Sequence, residues 1–269
     1  MAAAGIQAAS ASTLDNIKSH GTIKIGMLVD FPPYGLMNEQ NQPDGYDFDV
    51  SQALAKYLGV KLDIVPVTGP NRIPYLLSGQ VDVLVASLGI TPARAKKVDY
   101  SKPYAAITIG VYGKKDVDVS KPEDLAGKTI AVARASTQDT AVSKVAPKSA
   151  NIRRFDSDAA AIQALVSGQV PLIGCSNVCF VTLQKLSPDK FNKKFELSHQ
   201  VQGIAVRPGD KELLAKINAF IDQAMSNGTL DKISQKWLSE PLPDFLKNGS
   251  ANPSAPGSEA TNSGSTGSK

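Results

Sequence analysis

"LLSGQVDVLVASLGI", residues 76–90, and "LVSGQVPLIGCSNV", residues 165–178, decide the reading of the fold. Each leaves an apolar helical stretch through Ser-Gly-Gln-Val, enters a β-rich run and ends in a turn of small and polar residues. Gly79 and Gly168 punctuate the helix ends, and the Val/Leu/Ile runs behind them read as strands. A helix feeding a strand on one plan, twice in the chain, implies two lobes built alike.

The surrounding sequence extends both units. Before the first lie "TIKIGMLV" (22–29) as a strand, a Pro/Gly loop, "YDFDVSQALAKYLG" (46–59) as a helix stopped by Gly59, "KLDIVPV" (61–67) as a strand and "NRIPYLLSGQ" (71–80) as a short helix. Before the second lie "KTIAVA" (128–133) as a strand, "TQDTAVSKVA" (137–146) as a helix, "NIRRF" (151–155) as a strand and "AAAIQALVSGQ" (159–169) as a helix. This is the pattern of mostly parallel sheets flanked by helices, an α/β class. Ligands of such sheets bind at the carboxyl ends of the strands, so two facing lobes would aim both turns into one cleft.

Composition narrows the classes of function. Of 269 residues 42% are hydrophobic and 20% charged, enough for a sizeable core. The formal charge of +4 is spread without dense Lys/Arg patches, which sets nucleic acid aside. No apolar run reaches the roughly 18–20 residues a membrane span needs. The opening "MAAAGIQAASAS" is Ala-rich and ends like the tail of a trimmed secretory signal peptide, so residues 1–12 are expected to be a leader remnant or disordered. The closing Gly/Ser/Pro/Thr run cannot bury enough surface to fold, so residues 247–269 read as a disordered tail.

Cys175 and Cys179 sit four apart, which on one helix face makes a disulfide awkward, so two free thiols near a helix start are expected. His20 and His199 are too far apart in sequence to complete a zinc site with them, and no metal is expected. "TPAR" (91–94) reads as a helix start, with Thr91 as the cap and Pro92 at the first position. Arg94 then opposes the helix dipole at a cost of a few tenths of a kcal/mol. Two readings follow from spacing alone: a surface arginine paired with Asp99, or a guanidinium fork for a carboxylate.

Four separated segments carry a resemblance: "DFPPYGLMNEQNQPDGYDFDVSQALAKYLG" (30–59), "SLGITPARAKKVDYSKPY" (87–104), "LAGKTIAVARASTQDT" (125–140) and "GTLDKISQKW" (228–237). In this order they resemble the extracytoplasmic solute-binding proteins of family 3, the polar amino-acid binders of ABC importers, from about Thr13 to Phe245. The resemblance implies a two-lobed fold of the type II periplasmic-binding class, joined by two hinge strands, the first crossover near Ala105–Gly110 and the return near His199–Gly203. Lobe 1 would comprise 13–105 with 203–246, and lobe 2 would comprise 106–202. It further implies a periplasmic monomer that delivers a small ligand to transporter membrane subunits, without a cofactor.

Residue by residue, the resemblance places Phe31 against the ligand as a stacking ring and Tyr34 within lobe 1. Ser87 and Arg94 match the pair that holds an α-carboxylate, and Ser136, Thr137 and Gln138 match a helix-start turn that closes over it from lobe 2. Two departures stand out. The glycine usual before that turn is Ala135, and the aspartate that pairs with an α-ammonium is replaced by Ser176, followed by Asn177, which offer only neutral acceptors. Arg72, in a phrase like that of acidic amino-acid binders, would add a second guanidinium and favour an acidic ligand, unless it pairs with Asp82 or another surface acid.

Two other classes share features with this sequence. Cyclohexadienyl dehydratases share the fold but need a cleft carboxylic acid, and the position that could carry it is Ser176 here, which argues against an enzyme. A sensor or engineered binding module is the other, while the absence of a G-x-S-x-G elbow removes nucleophilic hydrolases.

Overall fold

Residues 12–238 and 241–247 are described by the computed structural model. Helix α1 (Thr13–His20) starts where the Ser12 hydroxyl accepts the Asp15 amide and stops at Gly21 in the left-handed conformation. Strand β1 (Thr22–Leu28) follows, then β2 (Asp30–Phe31), β3 (Gly35–Met37) and β4 (Pro43–Asp44), which form a small antiparallel sheet of their own. The Pro/Gly loop of the sequence reading is therefore a three-stranded flap. Helix α2 (Tyr46–Leu58), strand β5 (Lys61–Val67), helix α3 (Arg72–Leu77), strand β6 (Val83–Leu84) and the one-turn helix α4 (Pro92–Ala95) complete the first unit.

The second unit begins with β7 (Asp99–Lys114) and continues through β8 (Thr129–Ala133), α5 (Thr137–Val145), β9 (Asn151–Phe155), α6 (Asp158–Val166), β10 (Leu172–Ser176), α7 (Asn177–Leu186) and β11 (Phe191–Val206). Helices α8 (Lys211–Ser226), α9 (Thr229–Leu238) and α10 (Asp244–Lys247) close the chain.

Eight strands form one sheet in the order β5-β1-β6-β11-β7-β10-β8-β9. At one end β1 runs parallel to β5 and β6, and at the other β8 runs parallel to β9 and β10. Between them β7 and β11 pair antiparallel from Lys114↔Phe191 to Asp99↔Val206. Their shared middle, around Ile107↔Gln200, is the two-stranded ribbon that joins the two ends. Breaks in register on either side of it, such as Glu196/Ser198 and Gln202/Gly203, are irregularities of the kind that bend and twist a ladder.

Most apolar side chains collect on either side of the ribbon, and the first cluster continues onto it through Tyr104, Ile107 and Ile109 as far as Val178 of α7. Ile23, Ile25, Val50, Leu54, Val83 and Leu84 form one cluster, to which α8 returns Leu213, Ile217, Phe220 and Ile221. Two further clusters hold the other end, one around Leu165, Val170 and Ile173, the other around Ile130, Val132, Val142 and Leu172. Each fully buried Ile, Leu, Val or Phe contributes about 1.5–3 kcal/mol. The chain thus divides its core between two lobes, and the α8–α9 segment belongs with the first.

One expectation is corrected. Cys175 and Cys179 form a disulfide. Cys175 is the penultimate residue of β10, Ser176 caps α7, and Cys179 lies in the first helical turn. The Cα atoms stand 6.0 Å apart, within bridging range, and because Cys175 lies in a strand its side chain is not held to the parallel, same-face direction that i, i+4 placement on a single helix imposes. The expected leader remnant and tail, apart from Ser12 and Lys247, lie outside the described residues.

Candidate functional site

The ends of β1, β6 and β8 meet the short helices α3 and α4 and the starts of α5 and α6 in one cleft between the lobes. Its wall includes Phe31, Arg72, Ser87, Arg94, Ser136, Thr137 and Gln138, together with Leu28, Ile107 and Asp158. The enclosed space is about 20 Å³, roughly what one water molecule needs. The lobes are in contact here: a β-carbon on Gly69 would stand 2.7 Å from the Arg134 carbonyl oxygen, and one on Gly89 2.7 Å from Thr137.

Arg94 joins the two sides. Its backbone N–H is capped by the Thr91 hydroxyl, while Nη1 donates to the Gly89 carbonyl at 2.9 Å and Nη2 to the Ala135 carbonyl, across the cleft, at 2.7 Å. Asp99, the candidate surface partner, accepts the Gly209 amide instead. Burial lowers the Arg94 pKa, and no carboxylate acts on it among the described residues. Its charge therefore faces the cleft without an acid to offset it.

Opposite, the β8–α5 turn is built to present amides. Ala135 takes φ 58, the left-handed conformation that a glycine would adopt without steric cost, which explains how the turn survives the departure noted in the sequence. The Ser136 hydroxyl then accepts the Asp139 amide at 2.9 Å and opens α5, whose first turn aims its positive end at the cleft. Ser87 is also left-handed, φ 47, and its hydroxyl accepts Gln202 Nε2 from β11 at 2.5 Å. Phe31 is 3% exposed and stacks on Tyr34 at 5.9 Å between centroids. Tyr34 packs in the first core cluster and donates its hydroxyl to the Ala106 carbonyl on the ribbon.

Arg72 is 4% exposed. Nε donates to the Gly69 carbonyl and Nη1 to the Ala86 carbonyl at 3.0 Å, while Nη2 has no hydrogen bond among the described residues. The Asp82 alternative is not realised, because that carboxylate accepts the Lys24 amide. Burial first, and then Arg94, pull the Arg72 pKa down to about 10, against the opposing pull of Asp158 and Asp30. Asp158, the first residue of α6, is pushed up to about 7 by burial and then by Asp30, with Arg72 opposing. Asp30 is also raised by burial, with Ser157 and Arg72 among the opposing influences.

These two acids escaped the sequence reading. The available signal was "FDSDAA", a strand end and helix start that repeats the form of "ARASTQ" in the same lobe. Ser176 and Asn177, which the reading did name, do not line the cavity. The Ser176 hydroxyl caps α7 by accepting the Cys179 amide, and Asn177 Oδ1 accepts the Thr108 amide on the ribbon at 3.0 Å.

Two lobes on a two-stranded ribbon, closing on a cleft of strand and helix ends, define a binding protein of the type II periplasmic fold. Residues 23–240 match the bacterial extracellular solute-binding proteins, family 3, and the chain belongs to that family. It is 28% identical over 228 residues to the L-cystine-binding protein of Escherichia coli strain K12, with 84% of this chain and 85% of the relative covered. It is 32% identical over 238 residues to a glutamine-binding protein of an ABC transporter from Bacillus subtilis strain 168, with 85% of each covered. Among solved structures, an ancestral amino-acid-binding protein described as a precursor of cyclohexadienyl dehydratase superposes with a TM-score of 0.79 at 35% identity, covering 84% of this chain and 99% of its own.

Proposed function

We propose that this chain captures a polar amino acid by its carboxylate between lobe 1 (13–105 with 203–246) and lobe 2 (106–202), and hands it, outside the cytoplasm, to the membrane subunits of an ABC importer. The observation that carries the reading is Arg94, a guanidinium with no carboxylate partner among the described residues, reaching from one lobe to the Ala135 turn of the other. A carboxylate between them gains the fork, the Ser87 hydroxyl and the amides of the α5 turn, each charge-assisted bond worth about 1.5–3 kcal/mol. Phe31 covers the aliphatic part of the ligand. Ligand contacts from both lobes at once favour the closed arrangement, which is what couples binding to closure. With only about 20 Å³ enclosed, entry requires the lobes to part about the ribbon. In this reading Ser176 and Asn177 fix the α7 corner and the ribbon rather than touch the ligand.

The reading is of a binder rather than an enzyme. One observation favours a dehydratase as a second reading: Asp158, half-buried in the cavity wall, supplies a cleft carboxyl that position 176 lacks, with a pKa pushed up to about 7 that suits general acid work. Incubation with prephenate or arogenate separates the two, since only a dehydratase yields the aromatic product. Binding is tested by a thermal-shift screen of amino acids and small organic acids, because a ligand that binds only the folded state raises the midpoint. The expected hit is a polar amino acid, and a screen in which no carboxylate shifts the midpoint contradicts the proposal.

A further inference from the structure

Charge is unevenly shared between the two ends of the molecule. Residues 106–202 hold thirteen lysines and arginines against nine acids, whereas 13–105 with 203–246 hold fourteen against fifteen. Lysines that stand dispersed in the sequence are gathered by the topology. Strands β8, β9 and β10 run parallel with their carboxyl ends toward the cleft. Their starts, the ends of α5 and α7, the 115–128 connection and the open end of the β7–β11 ladder at Lys114↔Phe191 therefore lie at the pole away from it. All ten lysines of 106–202 fall in these segments with five of the acids, while the three arginines and the other four acids lie midway or toward the cleft. Seven of the ten lysines are exposed. Eight make no salt bridge among the described residues, the exceptions being Lys115 with Asp189 at 3.7 Å and Lys193 with Glu196 at 3.5 Å.

Two helix ends at this pole repeat one arrangement, on opposite faces of the sheet. Lys144-Val145-Ala146-Pro147-Lys148 ends α5, and Lys185-Leu186-Ser187-Pro188-Asp189-Lys190 ends α7. In each an apolar side chain, Val145 at 37% and Leu186 at 57% exposure, stands between lysines. The helix dipole accounts for one lysine in each last turn, Lys144 and Lys185, but not for the exposed apolar residue or the second lysine. We propose that this pole rests on an anionic phospholipid surface, its lysines on the headgroup phosphates and Val145 and Leu186 at the headgroup boundary. An acidic protein face would satisfy the lysines alone, whereas exposed apolar tips flanked by lysines are the composition of an interfacial contact. Among the described residues no helix is long and apolar enough to cross a membrane, so the contact lies on the surface. Because the pole is opposite the cleft, a lobe held this way leaves the cleft accessible and the other lobe free to move about the ribbon. The contact is independent of ligand capture by Arg94.

Sedimentation of the full chain with vesicles tests the contact, using phosphatidylcholine alone and an equal mixture of phosphatidylcholine and phosphatidylglycerol. The wild-type protein is expected to bind the mixed vesicles and not the neutral ones, and to lose at least tenfold in affinity as salt rises from low ionic strength to about 0.15 M. Lys144→Gln, Lys148→Gln, Lys185→Gln and Lys190→Gln together are expected to weaken binding at least a hundredfold, at about fivefold per lysine. The same charge removed from exposed sites elsewhere, by Lys18→Gln, Lys56→Gln, Lys61→Gln and Lys216→Gln, is expected to cost less than fivefold. Val145→Ser with Leu186→Ser is expected to weaken binding at least fivefold. A thermal midpoint within a few degrees of the wild type shows that each variant is folded. No binding to the mixed vesicles at low salt, equal binding to neutral ones, equal loss in the two lysine sets, or an unchanged serine pair overturns the proposal. Binding to soluble polyglutamate without binding to vesicles also overturns it, and assigns the pole to an acidic protein instead.

Discussion

Gly89→Ala is expected to hold the cleft ajar. A β-carbon at this position meets Thr137 Cγ2 at 2.7 Å and Gln200 Cγ at 2.8 Å, whereas carbon atoms in contact sit at about 3.5–4.0 Å. Neither neighbour gives way freely. Thr137 is buried, and Gln200 Nε2 is anchored to the carbonyls of Ile90 and Val201 at 2.9 and 3.0 Å. A separation of roughly 1 Å at this point relieves the Thr137 contact, which opens the lobes, whereas Gln200, tied to Ile90 beside Gly89, moves with it and yields only by a change of its side-chain rotamer. Gly89 itself does not require a left-handed backbone, so alanine adds no backbone strain to the open form. Overpacking on this scale costs about 1–3 kcal/mol, and a penalty confined to the closed state weakens the ligand by about 5- to 150-fold. Calorimetry with the tightest ligand from the screen measures the loss, and urea unfolding of the ligand-free variant measures stability. Affinity within twofold of the wild type refutes the reasoning. An equal loss of ligand-free stability would place the clash in the fold rather than in closure.

Other outcomes follow from the same geometry. Ala135→Gly relieves a left-handed alanine worth about 1–2 kcal/mol of strain but adds about 0.5–1 kcal/mol of chain entropy, so a net gain of about 0.5 kcal/mol in urea unfolding is expected. Asp47 is fully buried, accepts the Tyr104 hydroxyl at 2.6 Å, and is pushed up to about 7 by burial, against the pull of Tyr104 and the Ser87 amide. Its folded pKa exceeds the unfolded value of about 3.9, so the folded state binds the extra proton. Its contribution to stability is greatest below about pH 4 and is lost as pH rises toward 7, on the order of a few kcal/mol. Asp47→Asn should flatten that part of the stability-versus-pH curve, and an unchanged slope would show that Asp47 does not carry it.

Much of this architecture was legible before any coordinates. The Ser-Gly-Gln-Val repeats at 78–81 and 167–170 and the alternation around them gave the α/β units, because a helix stop followed by a β-branched run is a local signal. The cleft residues of "ASTQ" and "SLGITPAR" were legible by resemblance, and seven of the nine named residues line one cavity. What escaped was non-local. The Cys175–Cys179 bond depends on a strand-to-helix corner that spacing alone does not reveal. Asp30 and Asp158 acquire meaning only when β2 and α6 are brought to Arg72, and Ala135 only when its φ is known. Ser176 and Asn177 went the other way, since the corner and the ribbon took their polar groups.

Calorimetric titration of Arg94→Ala with the ligand that the wild-type protein binds most tightly tests the central claim most directly. Losing the fork removes two charge-assisted bonds of about 1.5–3 kcal/mol each, so affinity should fall by at least a hundredfold, with the ligand-free thermal midpoint within a few degrees of the wild type. Binding that survives within tenfold would mean that the carboxylate is held elsewhere.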